Sequence, residues 1–155
     1  MGEPLTILIA ARDEAARIGT TVAELRRLFP YAQVVVADDG SRDATAHIAA
    51  SAGARTLRLP HRGKGQALTI AERTAAHGPL LLCDADLRGD LRPLADGEGD
   101  LRIAAFEQKR GGGFGLAKGA ARRLIRLACG YDAQEPLSGQ RYLTQAARDA
   151  CFPLA

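Results

Sequence analysis

The chain of 155 residues has no tryptophan, one methionine and only 5% aromatic residues. So sparse an aromatic content gives little support to base stacking, so nucleic acid is not an expected partner. Cysteine is also scarce. Cys83, Cys129 and Cys151 are odd in number and lack close spacing, which excludes a disulfide framework or a cysteine zinc site and fits a reducing cytoplasm. Apolar runs are short, Leu5–Ala11 being typical, whereas a bilayer-spanning helix needs about 20 apolar residues. No basic start leads into an apolar stretch and a cleavage site, so no secretory leader is expected.

What is present is ordinary in amount and uneven in placement. Apolar residues make up 46% and charged residues 25%, as in a soluble domain large enough to bury a core. The net charge is +3, yet residues 100–126 alone carry seven basic groups against Asp100 and Glu107. A segment of that sign suits an anionic partner such as a phosphate or a lipid headgroup.

Periodicity organises the chain into strands and helices. Leu5–Ala11, Gln33–Ala37, Ala54–Leu59 and Leu80–Cys83 read as buried strands, and Leu101–Phe106 as a fifth. Glu14–Leu28 and Gly65–His77 read as helices, and Ser41 or Asp43 is placed to cap a third that runs to about Ala52. Nearly continuous apolar strands alternating with helices predict a parallel sheet covered on both faces. Ligands of such sheets bind beyond the carboxyl ends of the strands. There the chain puts "ARDE", "DDGS", "HRGKG" and "DADL".

Asp84 and Asp86 share a face if their segment is extended, and their hard oxygens suit Mg2+ or Mn2+ bridging a substrate's phosphates. The plainer alternative is a solvated turn in which Asp86 caps the next element. Asp39 is able to accept from a base N–H or a ribose hydroxyl, or to serve the turn at Gly40. Lys64 stands between glycines, without the spacing of a Walker loop, and is either a phosphate contact or a solvated lysine. Leu116–Cys129 forms an amphipathic helix with Lys118, Arg122, Arg123 and Arg126 on one side. Its apolar side is expected on the core or, alternatively, at a membrane surface. The glycines of Arg110–Gly115 offer a hinge before it.

Together "LTILIAARDEAARIG", "VVVADDGSRDAT", "HRGKGQAL" and "LLLCDADL" resemble the nucleotide-sugar domain of glycosyltransferase family 2, and "PLSGQR" resembles its dolichyl-phosphate mannosyltransferase-like branch. The resemblance covers about residues 4–143. It implies a three-layer, Rossmann-like GT-A fold with a mostly parallel central sheet in one domain, 1–155. The nucleotide-binding part is expected at about 4–90 and the acceptor-side part at about 100–155. The resemblance implies a cytoplasmic, metal-dependent, inverting transferase that uses a UDP- or GDP-linked sugar and Mn2+ or Mg2+. It implies that Ala11, Arg12 and Glu14 hold base and ribose, that Asp39 contacts the base and that Lys64 lies near the nucleotide. Asp84 would then lie near ribose and metal, Asp86 would ligate the metal, and Arg141 would face a diphosphate or acceptor phosphate. Asp132 is preferred over Glu135 as general base, although an anionic acceptor needs none.

Domains of this kind usually run longer, so the acceptor side is expected to be a fragment, minimal, or completed by a partner chain. A polyprenyl phosphate is the preferred acceptor, with peripheral contact at the inner face of a membrane through Leu116–Cys129. The alternatives are a non-catalytic nucleotide-sugar-binding module, a sugar-phosphate nucleotidylyltransferase and a phosphate-activated receiver domain. The nucleotidylyltransferase is disfavoured because the first loop has no glycine before Gly19.

Overall fold

The computed structural model describes residues 3–87, 89–104, 115–129 and 138–154. Six strands form one sheet in the order β3-β2-β1-β4-β6-β5. They are β1 (Thr6–Ala11), β2 (Gln33–Asp39), β3 (Arg55–Leu59), β4 (Leu80–Cys83), β5 (Leu101–Ile103) and β6 (Arg141–Leu143). The first four are mutually parallel, and β6 inserts antiparallel between β4 and β5. The helices are α1 (Ile18–Leu28), α2 (Thr45–Ser51), α3 (Lys64–Glu72), α4 (Arg92–Asp96), α5 (Gly115–Cys129) and α6 (Gln145–Cys151).

Strands β1, β2 and β4 are apolar at successive residues because both faces of the sheet are covered there. Strand β3, expected to be buried, is instead an edge strand with no buried residue, and Arg55 and Arg58 interrupt its apolar side chains. Ile7, Ile9, Val34, Val36, Leu81 and Cys83 face one core, with Ile18, Val22 and Leu25 of α1 and Ala49 of α2. Leu8, Val35, Leu80 and Leu82 face the other, with Ala67, Leu68 and Ala71 of α3 and Ala147 of α6. Alternate residues of each strand thus fill opposite layers, as strand pleating requires. The expected three-layer arrangement with a mostly parallel sheet is found.

Several boundaries differ from expectation for identifiable reasons. Helix α1 starts at Ile18 rather than Glu14, because the backbone before it is committed elsewhere. The Asp13, Glu14 and Ala15 N–H groups donate to Ser41 Oγ (3.0 Å), Thr45 Oγ1 (2.8 Å) and Asp43 Oδ2 (3.1 Å). Asp13 itself has a φ of 53°, outside the helical region. Asp43 serves the first turn of α2 by accepting from Thr45 N at 2.9 Å, whereas Ser41 binds the first loop instead.

Helix α3 ends at Glu72, short of His77. The Arg148 guanidinium, from α6, donates to the Glu72, Ala76 and Gly78 carbonyls and pairs with Glu72 Oε1 at 2.6 Å. It holds the segment after α3 in a non-helical path. Helices α4 and α6 and strand β6 had no counterpart in the sequence reading.

Strand order reverses at β1. The chain runs from β1 out to β3 on one side, then crosses to β4 on the other, so β1 and β4 flank a switch point. The register Ile9↔Cys83 and Ala11↔Asp38 brings Asp38, Asp39 and Asp84 to one edge of the sheet.

Candidate active site at the strand switch point

Two acidic strand ends face the His61–Gly63 loop, which lies between β3 and α3, and Lys64 at the start of α3. Asp39, at the end of β2, is 4% exposed. Its Oδ1 accepts from Arg62 N at 2.7 Å, and its Oδ2 accepts from Gly63 N at 3.0 Å and from His61 Nδ1 at 2.8 Å. Burial pushes its pKa up, but these N–H donors and the nearby imidazole outweigh burial and hold the carboxyl below its ordinary value. Gly40, with a φ of 74°, makes the contact feasible, since a Cβ there would lie 2.9 Å from His61 N.

The imidazole links Asp39 to the first loop. Arg12 Nη1 lies 2.8 Å from His61 Nε2. A guanidinium only donates, so Nε2 accepts and Nδ1 carries the proton given to Asp39. The sequence reading singled out Arg12 and Asp39 but not His61. No local pattern marks it, because its role arises from a loop 22 residues away in the chain.

Asp84, just after β4, is half-buried. Its Oδ1 pairs with Lys64 Nζ at 2.5 Å, and its Oδ2 accepts from Gln140 Nε2 at 3.3 Å. Gly139 presses directly on this carboxylate: a Cβ built there would fall among the Asp84 side-chain atoms. The segment after Asp84 turns at Ala85 instead of remaining extended, so the shared-face argument does not place Asp86. Ala85 is buried and its carbonyl accepts from Thr21 Oγ1 at 2.7 Å, which fixes the turn. Asp86 is exposed and makes no hydrogen bond or ion pair among the described residues. Cys83, beneath the pair, is pushed up to about 12 by burial and then by the Asp84 and Asp86 charges.

Other expected site residues fall around these. Ala11 is buried at the end of β1 beside Asp38. Glu14 pairs with Arg17 at 3.3 Å. Arg141 opens β6 next to Leu82, with its Nε donating to Ser138 O at 3.1 Å. Asp132, Glu135 and most of the glycine-rich segment lie outside the described residues.

The basic segment is not uniformly available to a partner. Arg102 donates to the Ala95 and Gly97 carbonyls and stacks on Tyr142, 3.7 Å from the ring centroid. Helix α5 adds nothing to either buried core among the described residues, and Leu124 and Leu127 are 66% and 80% exposed. The expectation that its apolar side packs on the core is not met there. No described helix is long and apolar enough to cross a membrane.

The donor set fits a hard divalent cation that keeps much of its water. Asp84 and Asp86 offer carboxylate oxygens at a wet sheet edge, with Asp86 unengaged. No group of three or more histidine, cysteine, aspartate or glutamate side chains comes together among the described residues. The rest of such a shell would have to come from water and ligand.

A doubly covered, mostly parallel sheet with carboxylates at its switch point defines a Rossmann-like α/β domain. The family model for glycosyl transferase family 2 matches residues 6–89, and the chain belongs to that family. Glycosyltransferase AglJ of Haloferax volcanii is 29% identical over 92% of this chain and 51% of its own length.

Glucosyl-3-phosphoglycerate synthase of Mycobacterium tuberculosis, solved with Mn2+, UDP-glucose and phosphoglyceric acid, superposes with a TM-score of 0.73 at 26% identity. That match covers 94% of this chain and 58% of that one. The same enzyme with Mn2+, UDP and glucosyl-3-phosphoglycerate gives 0.72 at 25% identity, over 94% and 58% of the two chains. The fold is thus the GT-A fold of these transferases, and the chain spans little more than half the length of the proteins it matches.

Proposed function

We propose that the chain is the nucleotide-sugar domain of a metal-dependent, inverting glycosyltransferase acting on a nucleoside-diphosphate sugar. The convergence of Asp84, Lys64 and Gly139 at the switch point carries the reading. It puts a carboxylate, a cation and a close-approaching backbone where a diphosphate would sit in such a sheet. The Mn2+ and UDP-glucose of the synthase crystal structure support the choice of ligands.

In this reading the nucleotide-binding part spans about 4–90, and the acceptor side about 100–155. Ala11, Arg12, held by His61, and Glu14 hold the base and ribose. Asp39 fixes the His61–Gly63 loop, and Oδ1 keeps a lone pair for a base N–H or ribose hydroxyl. Asp84 and Asp86 hold Mn2+ or Mg2+. When bound, the cation would offset charge building on the leaving diphosphate. Lys64 and Arg141 supply fixed positive charge to the same group, which is electrostatic stabilisation of the transition state. Asp132 is the preferred base if the acceptor needs one.

The phosphate-bearing acceptor of the synthase favours an anionic acceptor here, with a polyprenyl phosphate preferred. The exposed Leu124, Leu127, Arg123 and Arg126 of α5 favour peripheral contact at the cytoplasmic face of an anionic membrane. Release of UDP from UDP-glucose, followed with and without Mn2+, tests the proposal. Metal-dependent release that disappears in Asp86→Ala is expected. Tight binding with no turnover for any acceptor would instead make the chain a nucleotide-sugar-binding module.

A further inference from the structure

We infer that Lys64 is the resident counter-ion of Asp84, and that a divalent cation binds only by displacing it. The inference rests on the nucleotide-sugar reading and adds an order of events to it. The Lys64 ammonium lies 2.5 Å from Asp84 Oδ1 and occupies the contact a cation would take there. Gly139 covers one face of the carboxylate, against both oxygens, and Gln140 donates to Oδ2. A cation approaching Asp84 therefore meets the ammonium first.

The exchange needs only a side-chain swing. Lys64 is the first residue of α3, and Asp39 pins the two preceding residues through the Arg62 and Gly63 N–H groups. The backbone beneath the lysine stays fixed while its four-carbon stem turns. Both partners are partly exposed, 56% and 31%, so water softens the pair. Such a pair shifts an equilibrium by a factor of up to about 5. That suffices to compete with a weakly held cation and is small enough to be overcome. Once displaced, the ammonium needs a new anion, and the diphosphate of the nucleotide is the nearest chemistry that provides one. Metal and nucleotide then favour each other through Lys64, while metal alone binds poorly.

The signature is a pair of opposite effects from one substitution. Mn2+ alone, titrated calorimetrically into the full chain, should bind about 5-fold more tightly to Lys64→Gln than to the parent protein. UDP at saturating Mn2+ should bind about 5-fold more weakly to the same variant. Equal Mn2+ affinity in the two proteins, or tighter UDP binding by the variant, overturns the inference.

A second measurement separates exchange from simple repulsion. The chain has three lysines, Lys64, Lys109 and Lys118, so the Lys64 signal of 13C-methylated protein is readily assigned by substitution. Mg2+ alone should move that signal to its position in Asp84→Asn. Mg2+ binding that leaves the signal in place also overturns the inference. Should Asp86→Asn bind Mn2+ as the parent protein does, the metal-site assignment falls first, and the exchange with it.

Discussion

Asp39 shows how much of this site is made from backbone N–H groups. Its carboxylate joins β2 to the His61–Gly63 loop, and through His61 to Arg12. Asp39→Ala would leave two backbone donors and the imidazole without their acceptor, a loss of about 3 kcal/mol by the usual worth of hydrogen bonds to a charged group. Urea denaturation of the two proteins at neutral pH measures it.

The pH dependence has a definite sign. The folded-state pKa of Asp39 is below its ordinary value of 3.8, so its stabilisation is complete above that value and is lost as pH falls through the lowered one. Stability of the parent protein should therefore drop on acidification below about pH 4, and more steeply than that of Asp39→Asn, which has no such proton to bind. Cys83 gives a simpler expectation at this scale. Its buried thiol, pushed up to about 12, stays protonated at pH 8, whereas Cys151 is exposed. Brief iodoacetamide treatment of the folded protein, read by peptide mass spectrometry, should alkylate Cys151 and spare Cys83.

At the scale of elements, the site depends on β6 entering the sheet beside β4, because that pairing lays Gly139 on Asp84. Gly139→Ala puts a methyl group where the carboxylate sits, and overpacking of this kind costs about 1–3 kcal/mol. Taken up by the site, that would weaken Mn2+-supported UDP binding about 10-fold, as calorimetry would show.

Strands β1, β2 and β4 were legible because burial on both faces writes itself as an unbroken apolar run, as in Leu80–Cys83, whereas β3 shows only a broken run, Arg55–Leu59, at the sheet edge. Strand β6 was not, since Arg141–Leu143 is three residues long and only Leu143 is fully buried. Its place comes from pairing with Leu80–Leu82 some sixty residues earlier, which no local pattern encodes. The acids at the strand ends were legible for the same reason as the strands. Lys64 was legible between its glycines, but its pairing with Asp84 and the parts played by His61 and Gln140 became apparent only when the loops were brought together. Helix α5 was recognised by its period, but its exposed Leu124 and Leu127 show that amphipathicity does not say what the apolar side covers. Replacing the exposed Arg123 and Arg126 with Gln should reduce binding to vesicles rich in anionic lipid by about 30-fold, at about 1 kcal/mol per basic residue near the surface. Vesicle co-sedimentation checks this.

Across the whole molecule, the same sheet that builds the two cores sets the function. Parallel strands send their carboxyl ends to one edge, and the reversal at β1 opens a crevice there. The match takes in only 58% of the synthase chains, yet it covers 94% of this one. Donor recognition is thus proposed to be contained in the fold described, whereas acceptor choice need not be. A ligand that binds only the folded form raises its stability, by about 2.7 kcal/mol at a hundredfold excess over Kd. UDP with Mn2+ should accordingly raise the melting temperature of the chain.

The central claim is that Asp84 and Asp86 hold a divalent cation that grips the diphosphate of a sugar donor. Calorimetric titration of UDP-glucose into the parent protein and into Asp86→Ala, each with Mn2+ and with EDTA, tests it most directly. The account predicts saturable binding to the parent protein with Mn2+ alone among the four conditions. Equal affinity with EDTA, or undiminished affinity in Asp86→Ala, would contradict it.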